Sequence, residues 1–377
     1  MKLTSPYLRN DYYFSIKPAI EKNPDDIIYI FVGGRNTGKT YSALLYALEN
    51  DAKFVFVKRT NDDVHTLCAG NGNVNAKNRN RYSVDLSPFV AINRDFNLNI
   101  KAFRIPDVTG IGAFYPCDQD GNPCADAVGY IVSLNAIKNV KGFDLSACDM
   151  IIFDEFIPET WERINRKEGD QLMQLYKTVS RDREHRGRPA LKLIMLANAE
   201  MISNPVFNTL ELVDVVTEMQ LFDIHEYNDP KRGIYICRVQ TSAAFLDKEK
   251  ESKIYAAMDG TQWAQMALNN NFGYDDFSAV KKIDMRRYSL QCAFRHKRKM
   301  CYVYFNGEKW YITRHKNGKA NAPDIYDLSR QTEVERFYYD VVINIRPDAI
   351  DGRVLFESYS LYDVIMFYKK HYRIGEL

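Results

Sequence analysis

The chain has 377 residues, more than a usual single domain, and its 46% apolar and 13% aromatic content is that of a folded protein with room for two cores. It has no run of about 18 apolar residues to cross a bilayer, MKLTSPYLRNDYY lacks the apolar centre of a signal peptide, and an odd number of scattered cysteines argues against a disulfide framework; a soluble cytosolic protein without membrane contact is expected. The net charge of +2 hides an asymmetry: Lys281 to Lys316 carries eleven Lys and Arg against Asp284 and Glu308, which leaves the remainder at −7 and suggests a polyanion partner for the basic segment unless it is only a solvated face.

Ile27 to Val32 is a β-branched and aromatic run, as in a strand buried on both faces, and Tyr41 to Leu48 has helical apolar spacing. Between them Gly33, four residues, Gly38, Lys39 and Thr40 have the spacing of a P-loop in its strand-to-helix setting. The two glycines would let backbone N–H groups turn inward, and the helix start adds a field favourable to anionic oxygen. Gly33, Gly34, Arg35, Asn36, Thr37, Gly38, Lys39 and Thr40 are therefore candidate ATP contacts, with Lys39 on the β- and γ-phosphates and Thr40 on Mg²⁺. A glycine-rich turn that binds nothing is the alternative, and the full spacing in context counts against it.

Lys53 to Arg59 predicts a second strand, and Thr60 or Asn61 would cap the helix that follows. Gly70 to Arg81 reads as a polar surface loop, with Lys77, Arg79 and Arg81 free to meet solvent or nucleic acid. Thr109 to Leu134 predicts a hairpin around DQDGNP. Cys117 and Cys124 bracket that turn, and His65 with Cys68 could complete a zinc site, but the gap of six is wide for zinc and the turn explains the composition.

Met150 to Phe156, MIIFDEF, predicts a buried strand with Asp154 and Glu155 at its C-terminal end, where parallel sheets place ligands. In a P-loop ATPase Asp154 would hold the Mg²⁺ shell and Glu155 would polarise the attacking water. Gly169 to Glu184 predicts a helix that Gly187 and Pro189 stop, and Leu191 to Leu196 a strand ending beside Asn198, a residue able to sense γ-phosphate or to serve as a turn. Arg181 and Arg183 fit an arginine finger given to a neighbouring subunit, or simple surface ion pairs.

From Thr241 to about Val280 short amphipathic helices suggest a connector, after which Ser289 to His296 and an Asn306-Gly307 type I′ hairpin turn the chain to β, before an amphipathic helix from Ser360 to Tyr372. Lys281, Lys282, Arg286, Arg287, Arg295, Lys297, Arg298 and Lys299 are the candidate nucleic-acid contacts. The expected domains are 1–240, an ATPase; 241–280, a helical linker; and 281–377, a basic nucleic-acid-binding domain.

Together GGRNTGKT, FVKR, IIFDEF, TVSRDRE, LANAEMISNP and MDGTQWAQMALNNNF resemble the DNA-encapsidation ATPases of small podophages with protein-primed genomes (Picovirinae type), relatives of the large terminases. The resemblance spans most of Ile27 to Phe272. It implies an α/β fold of the P-loop NTPase (ASCE) type, a parallel sheet with helices on both faces, followed by a mixed β-rich domain similar to an RNase H-like nuclease that has lost its acidic cluster. It further implies a homomeric ring, a pentamer by resemblance, that hydrolyses ATP with Mg²⁺ to package double-stranded DNA. Its partners would be a capsid portal and a structural RNA, and its place the host cytoplasm, docked on the procapsid. Arg35 would touch phosphate, Asn198 would couple hydrolysis, and Arg181 would be the finger given in trans. A nucleotide kinase or a nucleotide-gated nucleic-acid switch would use the same loop. The Gly70 to Arg81 loop and the CDQDGNPC hairpin depart from the family pattern as insertions.

Overall fold

The computed structural model describes residues 13–69, 85–140, 142–159, 161–162, 164–240, 242–258, 260–261, 272, 275–319 and 321–375. The loop expected at 70–81 and residues 259 and 262–271 of the connector motif lie outside them. Two compact units divide the chain, one of 1–210 and 219–273, the other of 211–218 and 274–377.

The first unit is built on a nine-stranded sheet. In chain order its elements are α1 (Lys17–Lys22), β1 (Ile28–Gly33), α2 (Lys39–Glu49), β2 (Phe54–Lys58), α3 (Asn61–Leu67), α4 (Val90–Phe96), β3 (Ile100–Arg104), β4 (Ile111–Pro116) and β5 (Gly129–Ser133). There follow α5 (Ile137–Val140), β6 (Met150–Asp154), α6 (Glu168–Ser180), β7 (Lys192–Asn198), α7 (Pro205–Thr209), α8 (Val213–Leu221), whose first six residues belong to the second unit, β8 (Glu226–Asp229), β9 (Ile234–Arg238), α9 (Ala243–Lys250) and α10 (Lys253–Ala257). The strand order is β3-β4-β5-β2-β6-β7-β1-β9-β8. All neighbours from β5 to β9 run parallel, and antiparallel β3, β4 and β8 extend the two edges.

Burial on both faces explains the unbroken apolar strands. Tyr29, Phe31, Phe54, Phe56, Ile152, Ile194 and Leu196 form one cluster with Leu44 and Ala47 of α2 and Ile92 of α4. The alternate residues Ile30, Val32, Val55, Val57 and Phe153 are just as buried, and α6 adds the interior stripe Leu172, Leu175 and Val179. Local signals set the helix starts: Thr60 caps α3 through a capping box with Asp63. The hairpin expected from Thr109 to Leu134 is present as antiparallel β4 and β5.

Three local expectations fail for identifiable reasons. The helix read as Gly169 to Glu184 ends at Ser180, because Arg181 takes a φ of 42° and the basic residues beyond it turn back onto the segment before β6. Asn306-Gly307 is not a type I′ turn; Phe305 pairs with Trp310 around a four-residue loop in which only Gly307 has positive φ. The type I′ pattern falls instead at Lys297 (φ 45°) and Arg298 (φ 64°), between paired His296 and Lys299. The C-terminal helix breaks at Phe367 into Tyr359–Met366 and Tyr368–His371.

The second unit holds a five-stranded sheet of β10 (Ser289–His296), β11 (Lys299–Phe305), β12 (Trp310–Thr313), β13 (Ile325–Asp327) and β14 (Val354–Phe356), in the order β13-β10-β11-β12-β14. β10, β11 and β12 form an antiparallel meander, and β13 and β14 add in parallel at its edges. Its own core joins Phe294, Val303, Ile312 and Phe356 to Phe337, Leu361 and Ile365. Residues 211–218 belong here because Asp214 accepts from Arg314 at 2.8 Å and from the Ser360 N–H at 2.9 Å.

Candidate active site

Three parallel strands end side by side at one cleft. Gly33 of β1 is level with Asn198 of β7, and Asp154 of β6 is level with Leu196. The cleft has a volume of about 690 Å³ and is lined by residues 35–41, Asp154, Glu155, Ala197 and Asn198, together with Tyr13 and Phe245.

The loop between β1 and α2 depends on its glycines in two different ways. Gly38 caps α2 with φ of 90°, and a Cβ there would also lie 3.2 Å from Tyr13 Cβ. Gly33, expected to supply an unusual backbone angle, is an ordinary strand residue; its need is space, since a Cβ would come within 2.7 Å of Val239 Cβ. Asn36 adds a second left-handed turn at φ of 60°. No side chain caps the start of α2, which leaves its first N–H groups for an anion.

Lys39 is 7% exposed, and its Nζ donates to Gly34 O at 2.6 Å, Thr37 Oγ1 at 3.2 Å, Gly33 O at 3.3 Å and Asn198 Oδ1 at 3.4 Å. Burial pushes its ammonium down to about 8, against the opposing pull of Asp154 and Glu155. Thr40 Oγ1 donates to Asp154 Oδ1 at 2.8 Å. A hydroxyl beside a buried carboxylate is a pair of hard oxygen donors, the type that Mg²⁺ takes. Arg35 is turned onto carboxylates, at 2.6 Å from Glu159 and 3.3 Å from Glu200.

Lys58, at the end of β2, escaped the sequence reading. Its Nζ bridges Asp154 Oδ2 at 2.9 Å and Glu155 Oε2 at 2.7 Å. Burial alone would lower its pKa, but the two carboxylates more than offset this and hold it above the usual lysine range. In the sequence, the signal for it is the lysine of FVKR closing a strand that pairs with the acidic strand. Glu155 itself has φ of 56°, a left-handed conformation that costs a non-glycine residue on the order of 1 kcal/mol and swings its carboxylate, 66% exposed, out of the strand direction.

Arg181 is not at this cleft. α6 begins on the cleft side, but Arg181 follows its far end, where the guanidinium donates to Phe143 O at 3.1 Å and pairs with Asp144 at 3.3 Å, ahead of β6. The five residues of β6 put this roughly 15 Å from Asp154 along the strand. Arg183 is buried, bonded to Cys148 O and to Asp149 at 2.8 Å, and so acts as a structural clamp.

The basic residues of the second unit form two groups. Lys281, Lys282, Arg286 and Arg287 are exposed ahead of β10, with Arg286 bonded to Asp284 at 2.7 Å. Arg295, Lys297, Arg298 and Lys299 crowd the other end of that strand, all exposed; Arg295 pairs with Asp327 at 3.6 Å and Lys299 with Glu211 at 2.6 Å. For zinc, Cys68 and Cys117 are buried and Cys124 exposed, and among the described residues no group of three or more His, Cys, Asp and Glu could hold a metal ion.

A buried lysine and an uncapped helix start face a hydroxyl-carboxylate pair and a second, exposed carboxylate. Such a cleft can take a phosphate chain with a hard cation and place a base beside it. The model of the podovirus DNA encapsidation protein (Gp16) family matches residues 124–335, and the chain belongs to that family. The DNA packaging protein of Bacillus phage B103 is 27% identical over 266 residues, 68% of each chain, and that of Bacillus phage phi29 is 25% identical over 264 residues, 68% of this chain and 66% of the relative. The fold is also that of the Phi-28 gp11 DNA packaging motor, with a TM-score of 0.60 at 15% identity over 97% of this chain and 99% of that one. The phi29 genome packaging motor assembly gives the same TM-score at 16% identity, over 95% and 99%.

Proposed function

We propose that this chain is the ATP-hydrolysing subunit of a homomeric ring that drives double-stranded DNA into a viral procapsid. The observation that carries this reading is the meeting of Lys39, Thr40, Asp154 and Glu155 in one cleft, in a chain of the DNA encapsidation family. The loop is read as a P-loop within a sheet of the ASCE type, where β7 with Asn198 separates the lysine strand from the acidic strand. The backbone of residues 33–38 and Lys39 bind the phosphates, and Arg35 can exchange Glu159 and Glu200 for phosphate oxygen. Thr40 and Asp154 would hold Mg²⁺, which neutralises charge on the phosphates when bound. Glu155 orients and deprotonates the attacking water, Lys58 fixes its carboxylate, and Asn198 reports phosphate occupancy to Lys39. Arg181, remote from its own cleft, serves the cleft of a neighbour.

The second unit, residues 281–377 above all, is assigned to DNA and to the capsid portal or a structural RNA, on a fold akin to an RNase H-like nuclease; residues 241–280 link it to the ATPase. A pentameric ring in the host cytoplasm, docked on the procapsid, fits this role. Hydrolysis measured with and without double-stranded DNA is the test: a DNA-dependent rise that Lys39→Ala removes supports a motor. A rate indifferent to DNA in the assembled protein contradicts it, as would phosphoryl transfer to a nucleoside acceptor, the mark of a kinase. Unchanged function without Glu155 would mark a switch.

A further inference from the structure

Among the described residues, three aromatic residues line the cleft; the Tyr41 hydroxyl donates to Asp95 at 3.0 Å, while Tyr13 and Phe245 meet each other and take no part in the phosphate chemistry. We propose that they form the seat for the nucleobase of the bound nucleotide. This rests on the reading of the cleft as a nucleoside triphosphate site and adds which residues hold its base.

The two rings lie edge to face, with centroids 6.3 Å apart and planes at 66°. Tyr13 is 56% exposed and Phe245 only 5%, so one ring is an open platform and the other a wall behind it. The platform is held in place by its neighbours. The Phe14 N–H donates to Thr37 O at 3.0 Å, the Ile16 N–H donates to Ser42 Oγ at 2.9 Å, and the Phe14 ring packs on Phe31 at 5.5 Å. Each of these bonds fastens the segment before α1 to the phosphate loop or to α2. A Cβ on Gly38 would lie 3.2 Å from the Tyr13 Cβ, closer than an ordinary contact, so the ring backs directly onto the phosphate loop. Base platform and phosphate cradle are thus one frame, which fixes the distance between a stacked base and the phosphates. A cleft that offers cations and N–H groups and, beside Gly38, two aromatic rings in contact suits the mixed polar and aromatic chemistry of a purine nucleotide, and stacking on an aromatic face suits any base.

The test compares binding of ATP and of inorganic tripolyphosphate, which has the phosphates without the base, to the full chain. Tyr13→Ala is expected to weaken ATP binding by about 5- to 100-fold, the range for losing one base–aromatic stack, and to leave tripolyphosphate binding unchanged. Phe245→Ala should act in the same direction; because Phe245 is buried, its thermal melting is measured first, and Tyr13→Ala carries the test if that variant fails to fold. Tyr13→Trp should retain ATP affinity and show emission that ATP quenches and tripolyphosphate does not, beyond any change in the parent protein. Equal loss of both ligands in Tyr13→Ala would mean that Tyr13 only buttresses the loop, and loss of neither would mean that it touches no base; either overturns the seat. Failure of the unmodified protein to bind tripolyphosphate, or indifference to Lys39→Ala, would overturn the phosphate site beneath it.

Discussion

Lys58 Nζ stands 2.7 Å from Glu155 Oε2, a contact that closes 97 residues of chain and fixes the carboxylate proposed as the base. Glu155→Gln keeps an acceptor for Lys58 but cannot take a proton from water. The variant is expected to bind ATP as the parent does and to lose about 10²- to 10⁴-fold in turnover, read from nucleotide affinity and steady-state hydrolysis. Normal turnover in the Gln variant would move the catalytic role elsewhere.

The Lys39 ammonium, pushed down to about 8 by burial, is expected to make ATP binding pH-dependent. Phosphate favours the protonated form, so above about pH 8 the free protein must take up a proton on binding. Affinity should hold between pH 7 and 8 and then fall by up to about tenfold per unit. Calorimetric titrations from pH 7 to 9.5 in buffers of different ionisation heat would show the fall and the proton uptake; a flat profile would contradict it.

The parts legible in the sequence are those whose cause is local. The apolar run into GGRNTGKT and the run into Asp154 and Glu155 each state strand, end and chemistry within ten residues, and both fold as expected. What stayed hidden depends on distant partners. Gly33 is glycine because Val239 packs against it, Lys58 matters because β2 lies beside β6, and Arg183 differs from Arg181 only in what each meets around Phe143 to Asp149. Asn306-Gly307 is the local favourite for a type I′ turn, but the pairing of β10 with β11 forces Lys297 and Arg298 into left-handed backbone instead.

The position of Arg181 beyond α6, held by Phe143 and Asp144 at the end of β6 opposite the cleft, predicts that any catalytic use is in trans. Arg181→Ala should cost on the order of 10³-fold in turnover and spare ATP binding. Mixing Arg181→Ala with Glu155→Gln subunits should restore some hydrolysis, because certain interfaces then pair an intact Glu155 with an intact Arg181. Mixed rings that form yet stay inactive would confine Arg181 to its Asp144 contact.

The exposed hairpin end carrying Arg295, Lys297 and Arg298 predicts a grip on phosphate without regard to base sequence. Replacing these three by Ala should weaken binding equally on unrelated duplexes and flatten the slope of log affinity against log salt by about three. Loss confined to one sequence would point to base reading instead.

The central claim, that hydrolysis in this cleft moves DNA, is tested most directly by the amount of duplex DNA protected from nuclease inside procapsids after ATP is added. The account predicts protection with the unmodified chain and none with Glu155→Gln, although the variant still binds ATP. Full hydrolysis without protected DNA in the assembled system, or protection undiminished in Glu155→Gln, would contradict it.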